Sequence, residues 1–255
     1  MTIKRLILGA VGFLLILAIW QWAASGPLSD GPLPTAAATL SELLALLPTA
    51  EFWGSVWLTV QVALGGFLIA LVAGVALGIG TASSRVTMHA TRAVLEFLKP
   101  IPPIVILPLV VLVLGPTMDM GIFLVFFGCL LPVLMQTAAG VLDVDPVALA
   151  TGRSFSMGRG EILRRIVLPS AMPHIGTAIR LSVPTSLVTA VVAGLLGGGP
   201  GLGNSLIKAQ LSGSQELLFA YVIALGLLGL VFQAVSDGIE SRVLRWHPSY
   251  RKAVH

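Results

Sequence analysis

Six stretches of the chain are apolar for long enough, or nearly so, to cross a bilayer, whose hydrocarbon core of roughly 30 Å takes about 20 helical residues. They are Leu6–Trp22, Trp57–Gly80, Val94–Leu114, Gly121–Leu142, Ile175–Leu196 and Leu217–Ser236. The third contains Pro100, Pro102, Pro103 and Pro108, each of which removes a backbone donor and bends a helix. Such breaks persist at membrane depth where a neighbour or a water-lined cavity satisfies the freed carbonyls. The cluster points to a solute pathway or to a kink that serves packing, and on proline count alone the kink ranks first. Between the first two spans, Thr39–Leu47 has the pattern of a short amphipathic helix lying on the membrane surface.

The longest polar interruption runs from Leu142 to about His174. It predicts a helical hairpin. Asp145 is a good N-cap and Pro146 suits the first helical position, so the first helix covers Pro146–Phe155. Ser156–Gly158 turns the chain, with Gly158 free to take a left-handed conformation. The second helix covers Gly160–Val167 and is stopped by Pro169. Ile162, Leu163, Ile166 and Val167 fall on one of its faces, and Arg159, Arg164 and Arg165 largely on the other.

Composition fixes the class. Of 255 residues, 56% are hydrophobic and 10% charged, with mean hydropathy +0.98. A soluble domain carries about a quarter charged residues, so this is an integral membrane protein, and spans of helical length make it an all-α one. It forms one domain over 1–255: an anchor helix in 1–25, an outer segment in 26–52, core spans in 53–240, and the polar loop in 142–174. The short "AASG" at Ala23–Gly26 also resembles a signal cleavage site, but the length of the first span and Trp20 and Trp22 favour a retained anchor.

Six spans with an internal N-terminus place every one of the 15 lysines and arginines except Lys208 on the cytoplasmic side. Asp30, Glu42, Glu51, Asp119 and Glu216 lie outside. Both termini are therefore expected in the cytoplasm. The net charge of +4 has the same origin and does not call for nucleic acid. Cys129, the single cysteine, lies in an apolar run and is expected simply to pack there.

Candidate chemistry is sparse. There is no phosphate-binding G-x-x-x-x-G-K-[ST] sequence. The run "GGGPGLG" (Gly197–Gly203) lacks its Lys and Ser/Thr and is expected to be a flexible turn. His89, His174, His247 and His255 form no metal motif. A membrane-embedded enzyme would need ionisable groups at membrane depth, and a stand-alone secondary transporter would usually show internal repeats and coupling charges; neither pattern is visible. In the fifth span Ser182, Thr185, Ser186 and Thr189 recur at helical spacing beside Pro184, which suits a polar pathway or ordinary helix packing. The arginine-rich hairpin suits lipid phosphates, the plainer reading, or a groove on another protein.

The stretch "RGEILRRIVLP" (Arg159–Pro169) resembles the cytoplasmic loop of ABC importer permease subunits, whose pattern is Glu-Ala-Ala, three residues, Gly, about nine residues, then Ile-x-Leu-Pro. Ala150-Thr151-Gly152 stands where Glu-Ala-Ala is usual, and Ser156 where the turn glycine is usual. Leu98–Gly115, Gly201–Gly203 and Arg242–Trp246 resemble the taurine, nitrate and aliphatic-sulfonate branch of that family. The resemblance implies a type I importer permease fold in a bacterial inner membrane. It implies a coupling helix, with Arg153, Ser154, Phe155, Ser156, Met157, Gly158 and Arg159 engaging a cytoplasmic ATP-binding subunit present in two copies. It also implies an extracytoplasmic solute-binding protein and no cofactor on this chain, ATP being held by the partner. A single copy is thin for a closed pathway, so a second copy of the chain is expected. The pathway is expected at Pro102, Pro103, Ser182, Thr185, Ser186 and Thr189. The branch resemblance alone implies a small anionic cargo such as a sulfonate or nitrate; other relatives carry thiamine precursors or aromatic acids.

Overall fold

The computed structural model describes residues 2–27, 29 and 31–243. The predicted placements of Asp30, Arg245, Arg251, Lys252, His247 and His255, and most of Arg242–Trp246, lie outside these residues. The described chain is helical: α1 (Thr2–Ser25), α2 (Ala36–Leu46), α3 (Ala50–Ala82), α4 (Arg85–Leu98), α5 (Pro103–Leu114), α6 (Met118–Leu142), α7 (Pro146–Ser154), α8 (Arg159–Ile162), α9 (Leu168–Gly197), α10 (Leu202–Leu211) and α11 (Gln215–Val243). Helix starts follow side chains that accept a backbone N–H of the first turn. Thr35, Thr49, Ser84, Thr117 and Asp145 cap α2, α3, α4, α6 and α7 in this way.

Five helices are long and apolar enough to cross a membrane, namely α1, α3, α6, the continuous α8–α9 unit and α11. The third expected span is not one helix. Its prolines break it between Leu98 and Pro103, and α4 and α5 meet at 88°. Packing shows that α5 still makes the return crossing. Val62 of α3 meets Gly121 of α6, Gly66 meets Val125, Gly74 meets Val133 and Gly78 meets Thr137. Both positions advance together, so α3 and α6 run parallel, and the chain between them must cross back. The 12 residues of α5 reach about 18 Å, so the flanking extended residues complete the passage.

Along α6, Gly140 packs on Ala171 and His174, Gly128 stands beside Thr189, and Met120 touches Gly197. α9 is therefore antiparallel to α6. α3, α6 and α9 enclose the central core around Phe67, Val125, Cys129 and Leu187, with Phe232 of α11. The α1 helix is almost wholly exposed along its span. It ends with Trp20 beside Phe219 at the start of α11, ring centroids 6.0 Å apart. Its first residues, the hairpin and the end of α11 thus share one end of the bundle.

The segment expected to be a short amphipathic helix forms α2, which buries Thr39 and Leu43 next to Phe52 and Tyr221 and leaves Leu40 and Leu44 exposed. Two expectations change. The hairpin's second helix does not stop at Pro169. It passes through a π-turn at Leu163–Val167, where Leu168 N–H donates to the carbonyl of Leu163 five residues back, and runs on as α9. The widened turn gives the pyrrolidine ring room that a regular turn lacks. The glycine run after α9 is not a flexible turn. Gly201 (φ 114°) lies on Thr59, Gly203 lies on the backbone of Val191 and Leu195, and Leu202 N–H donates to Thr59 Oγ1 at 2.8 Å. This packing launches α10, which the apolar pattern did not announce.

Gly78 and Gly80 of α3 make a matched test. A Cβ at Gly78 would stand 2.7 Å from Leu134 O and Thr137 Cβ, whereas one at Gly80 meets nothing within 4 Å. Gly78→Ala is expected to cost about 1–3 kcal/mol through overpacking and to lower the melting temperature of the purified protein. Gly80→Ala is expected to leave it unchanged or raise it slightly, as measured by thermal unfolding in detergent.

Candidate functional site

The hairpin is built from local rules. Asp145 Oδ1 accepts the N–H of Val147 at 2.8 Å and Pro146 opens α7, as its sequence predicts. The helix ends in a Schellman turn: Met157 N–H donates to Gly152 O at 3.1 Å and Ser156 N–H to Arg153 O at 2.9 Å. The left-handed residue is Ser156, at φ 56°. Gly158, expected in that role, is extended (φ −67°, ψ 161°) and caps α8. The 5→2 and 6→1 hydrogen bonds fix the left-handed position three and four residues after their acceptors, which is Ser156. A serine there carries strain of about 1 kcal/mol or more that glycine would not.

The two arms close on Gly152, which is buried. A Cβ there would stand 2.7 Å from Ile166 Cδ1 and 3.4 Å from Met157 Sδ. Ile162 and Ile166 are half-buried against this notch. The apolar face of the second arm therefore holds the hairpin together. Arg165 pairs with Glu161 at 3.3 Å across one turn.

What remains free is the tip. Phe155 is 78% exposed. Arg153, Ser154, Ser156, Gly158 and Arg159 are exposed around it, and Met157 is half-buried. An aromatic ring flanked by two arginines on a rigid turn has the composition of a protein-binding hot spot. α8 continues into α9 with no loop between them, so the tip is joined to a long apolar helix without a flexible link.

The residues expected in a pathway separate into two sets. Gly128 of α6 is the meeting point of α5 and α9: a Cβ there would lie 2.9 Å from Pro103 Cγ and 3.5 Å from Thr189 Oγ1. A cleft of about 240 Å³ opens beside it, lined by Lys99, Pro102, Pro103, Phe127, Gly128 and Leu131. Thr185 is exposed and Thr189 half-buried, each donating its hydroxyl to a carbonyl one turn back. Ser182 and Ser186 lie on the buried half of the same arc of α9. Ser186 Oγ donates to Val183 O at 2.7 Å, and the Ser182 carbonyl accepts from Cys129 Sγ at 3.5 Å. Those two serines do not face open space in this chain; their small size serves the α6–α9 contact.

Sequence reasoning missed an ionic tie between α9 and α11. Arg180 lies 3.6 Å from Asp237 and 3.4 Å from Glu240, whose side chain is only 6% exposed. Gln233 donates to Asp237 at 2.9 Å. The signal for this tie in the sequence is one arginine in α9 against two carboxylates three residues apart in α11. Among the described residues, no group of three His, Cys, Asp or Glu side chains could hold a metal ion.

Residues 66–245 match the family described as binding-protein-dependent transport system inner membrane component. The nitrate import permease protein of Leptolyngbya laminosa is 29% identical, over 95% of this chain and 89% of that protein. The taurine transport system permease protein of Escherichia coli (strain K12) is 25% identical, over 96% and 92%. In a crystal structure of a bacterial ABC transporter involved in import of the acidic polysaccharide alginate, one chain superposes with TM-score 0.62 at 14% identity, over 94% of this chain and 95% of that one. The match spans the core helices and the hairpin, and the chain therefore belongs to the binding-protein-dependent transport system inner membrane components, the permease subunits of ABC importers.

Proposed function

We propose that the Phe155 tip is the coupling element of this permease. It seats in a groove of a cytoplasmic ATP-binding subunit, and α8–α9 carries the nucleotide-driven motion into the bundle. The observation that carries this is the exposed Phe155, between Arg153 and Arg159, on a Schellman turn continuous with a membrane helix. The hairpin end is cytoplasmic, in keeping with the arginines and lysines gathered there. Two ATP-binding subunits serve two copies of this chain, which together close a pathway between the faces bearing Pro102, Pro103, Thr185 and Thr189. ATP is held by the partner and the cargo is delivered by an extracytoplasmic binding protein. The cargo is a small anion or sulfonate, a reading supported by the nitrate and taurine relatives.

The hairpin is tested by three variants. Ser156→Gly relieves the strained turn and is expected to keep uptake and to raise stability by about 1 kcal/mol. Ser156→Val places a β-branched residue at positive φ and is expected to abolish coupled uptake while the chain still inserts. Phe155→Asp is expected to lose co-purification of the ATP-binding subunit. Wild-type co-purification with Phe155→Asp would instead favour a hairpin that rests on lipid.

Sidedness has its own measurement. An impermeant thiol reagent on intact cells should label Ser214→Cys and spare Gly158→Cys. Labelling of position 158 from outside would reverse the proposed orientation.

For the pathway, Thr185→Val with Thr189→Val is expected to slow uptake several-fold, and Ser182→Ala to alter stability more than transport. Unchanged uptake in the double-valine variant would remove α9 from the pathway.

A further inference from the structure

The hairpin is not the only basic element at its end of the bundle. α4 follows α3 directly, turns 88° from α5, and so lies across the direction of the spans. Its residues fall into three stripes. Met88, Thr91, Leu95 and Leu98 are half-buried on one flank against the bundle. Val86, Val94 and Phe97 form an apolar stripe on the other flank, 78%, 57% and 72% exposed. His89, Arg92, Glu96 and Lys99 form an exposed polar stripe between them. A helix half-docked on protein, with a bare apolar flank beside a cationic ridge, has the amphipathic form that lies in a membrane interface.

Beneath the ridge is a cleft of about 210 Å³ between α4 and the ends of α3 and α6. Met88, Leu95, Met135 and Leu142 give it an apolar wall, and Arg92, Glu96 and Lys99 also border it. Arg92 spends only its Nε on Glu96, at 2.8 Å, in a pair whose side chains are 68% and 65% exposed. Its terminal amino groups remain as donors. Among the described residues, Lys99 makes no ion pair. An apolar slot with two cations at its edge matches one ligand chemistry: a phosphate on a hydrocarbon chain.

We propose that α4 and this cleft form a binding site for an anionic phospholipid of the inner leaflet, its phosphate on Arg92 and Lys99 and an acyl chain along Met88, Leu95 and Met135. The site rests on the cytoplasmic placement of the hairpin end proposed above. It anchors α4 at the membrane surface and leaves α5 to move against a fixed neighbour. Charge complementarity favours an anionic lipid, since Arg92 and Lys99 outnumber Glu96 and leave the ridge net positive.

The test is native mass spectrometry of the full-length protein with equimolar phosphatidylglycerol and phosphatidylcholine. The wild type should retain phosphatidylglycerol preferentially. The Arg92→Gln, Lys99→Gln double variant should lose that preference by roughly fivefold per cation removed, and Lys99→Gln alone, the milder change should the double fail to insert, by about fivefold. Arg92→Lys with Lys99→Arg, and Lys208→Gln at the far end, should keep it. An unchanged preference in both Gln variants would overturn the site. So would loss of the preference through Arg164→Gln and Arg165→Gln instead. Conversion of a dimer to monomer by Phe97→Glu, with the lipid preference lost alongside it, would assign this face of α4 to a second copy and overturn it too. Labelling of His89→Cys from outside in intact cells would overturn the sidedness, and with it an inner-leaflet ligand, whereas an inside-only label with no lipid effect would sink the site alone.

Discussion

Everything in this permease depends on how closely α3, α6 and α9 approach one another. Lipid tails are as apolar as leucine, so burying side chains between membrane helices gains little of the driving force that folds soluble proteins. Association must come from contact at short range. Gly66, Gly74 and Gly78 let α3 receive Val125, Val133 and Thr137 of α6, and Gly140 lets α6 receive Ala171 of α9. These notches recur every four or eight residues along one face, so they set both distance and register. Parallel α3 and α6 then require a return strand of chain, which the broken α4–α5 pair supplies.

The same packing makes the hairpin mechanically useful. It leaves α6 through Asp143–Asp145 and re-enters the bundle as α9 through a π-turn, so both its arms are rooted in helices of the central core. Gly152 locks the arms together and the Schellman turn fixes the tip. Arg180 then ties α9 to Asp237 and Glu240 of α11. Glu240 is nearly buried, so its contact with Arg180 is less screened by water than an exposed pair would be. In the proposed coupling, a displacement of Phe155 would therefore be shared between α9 and α11.

The apolar runs, the N-caps and the hairpin could be read from the sequence because each rests on local chemistry. Asp145-Pro146 is a local helix-start signal, and about 20 consecutive apolar residues have few soluble uses. The errors lie where tertiary contact overrides a local rule. Pro169 should end a helix, yet a π-turn accommodates it. Gly158 offers the left-handed conformation, yet the hydrogen-bond pattern of the turn assigns it to Ser156. Gly197–Gly203 looks loose as a string of glycines and is tight because Thr59, Met120 and Val191 press on it. Ser182, Thr185, Ser186 and Thr189 share one arc of α9, and only the position of α6 decides which of them are buried. The small-residue spacing in α3 was present in the sequence, but its meaning needed the partner face on α6.

The central claim is that the hairpin tip touches the motor. The most direct measurement is photo-crosslinking in growing cells with p-benzoylphenylalanine in place of Phe155, whose native ring is 78% exposed. One dominant adduct is expected, between this chain and an ATP-binding subunit, and a weaker one when the photo-residue is moved to half-buried Ile162. Adducts to phospholipid alone, or equal adducts at both positions, would contradict the claim.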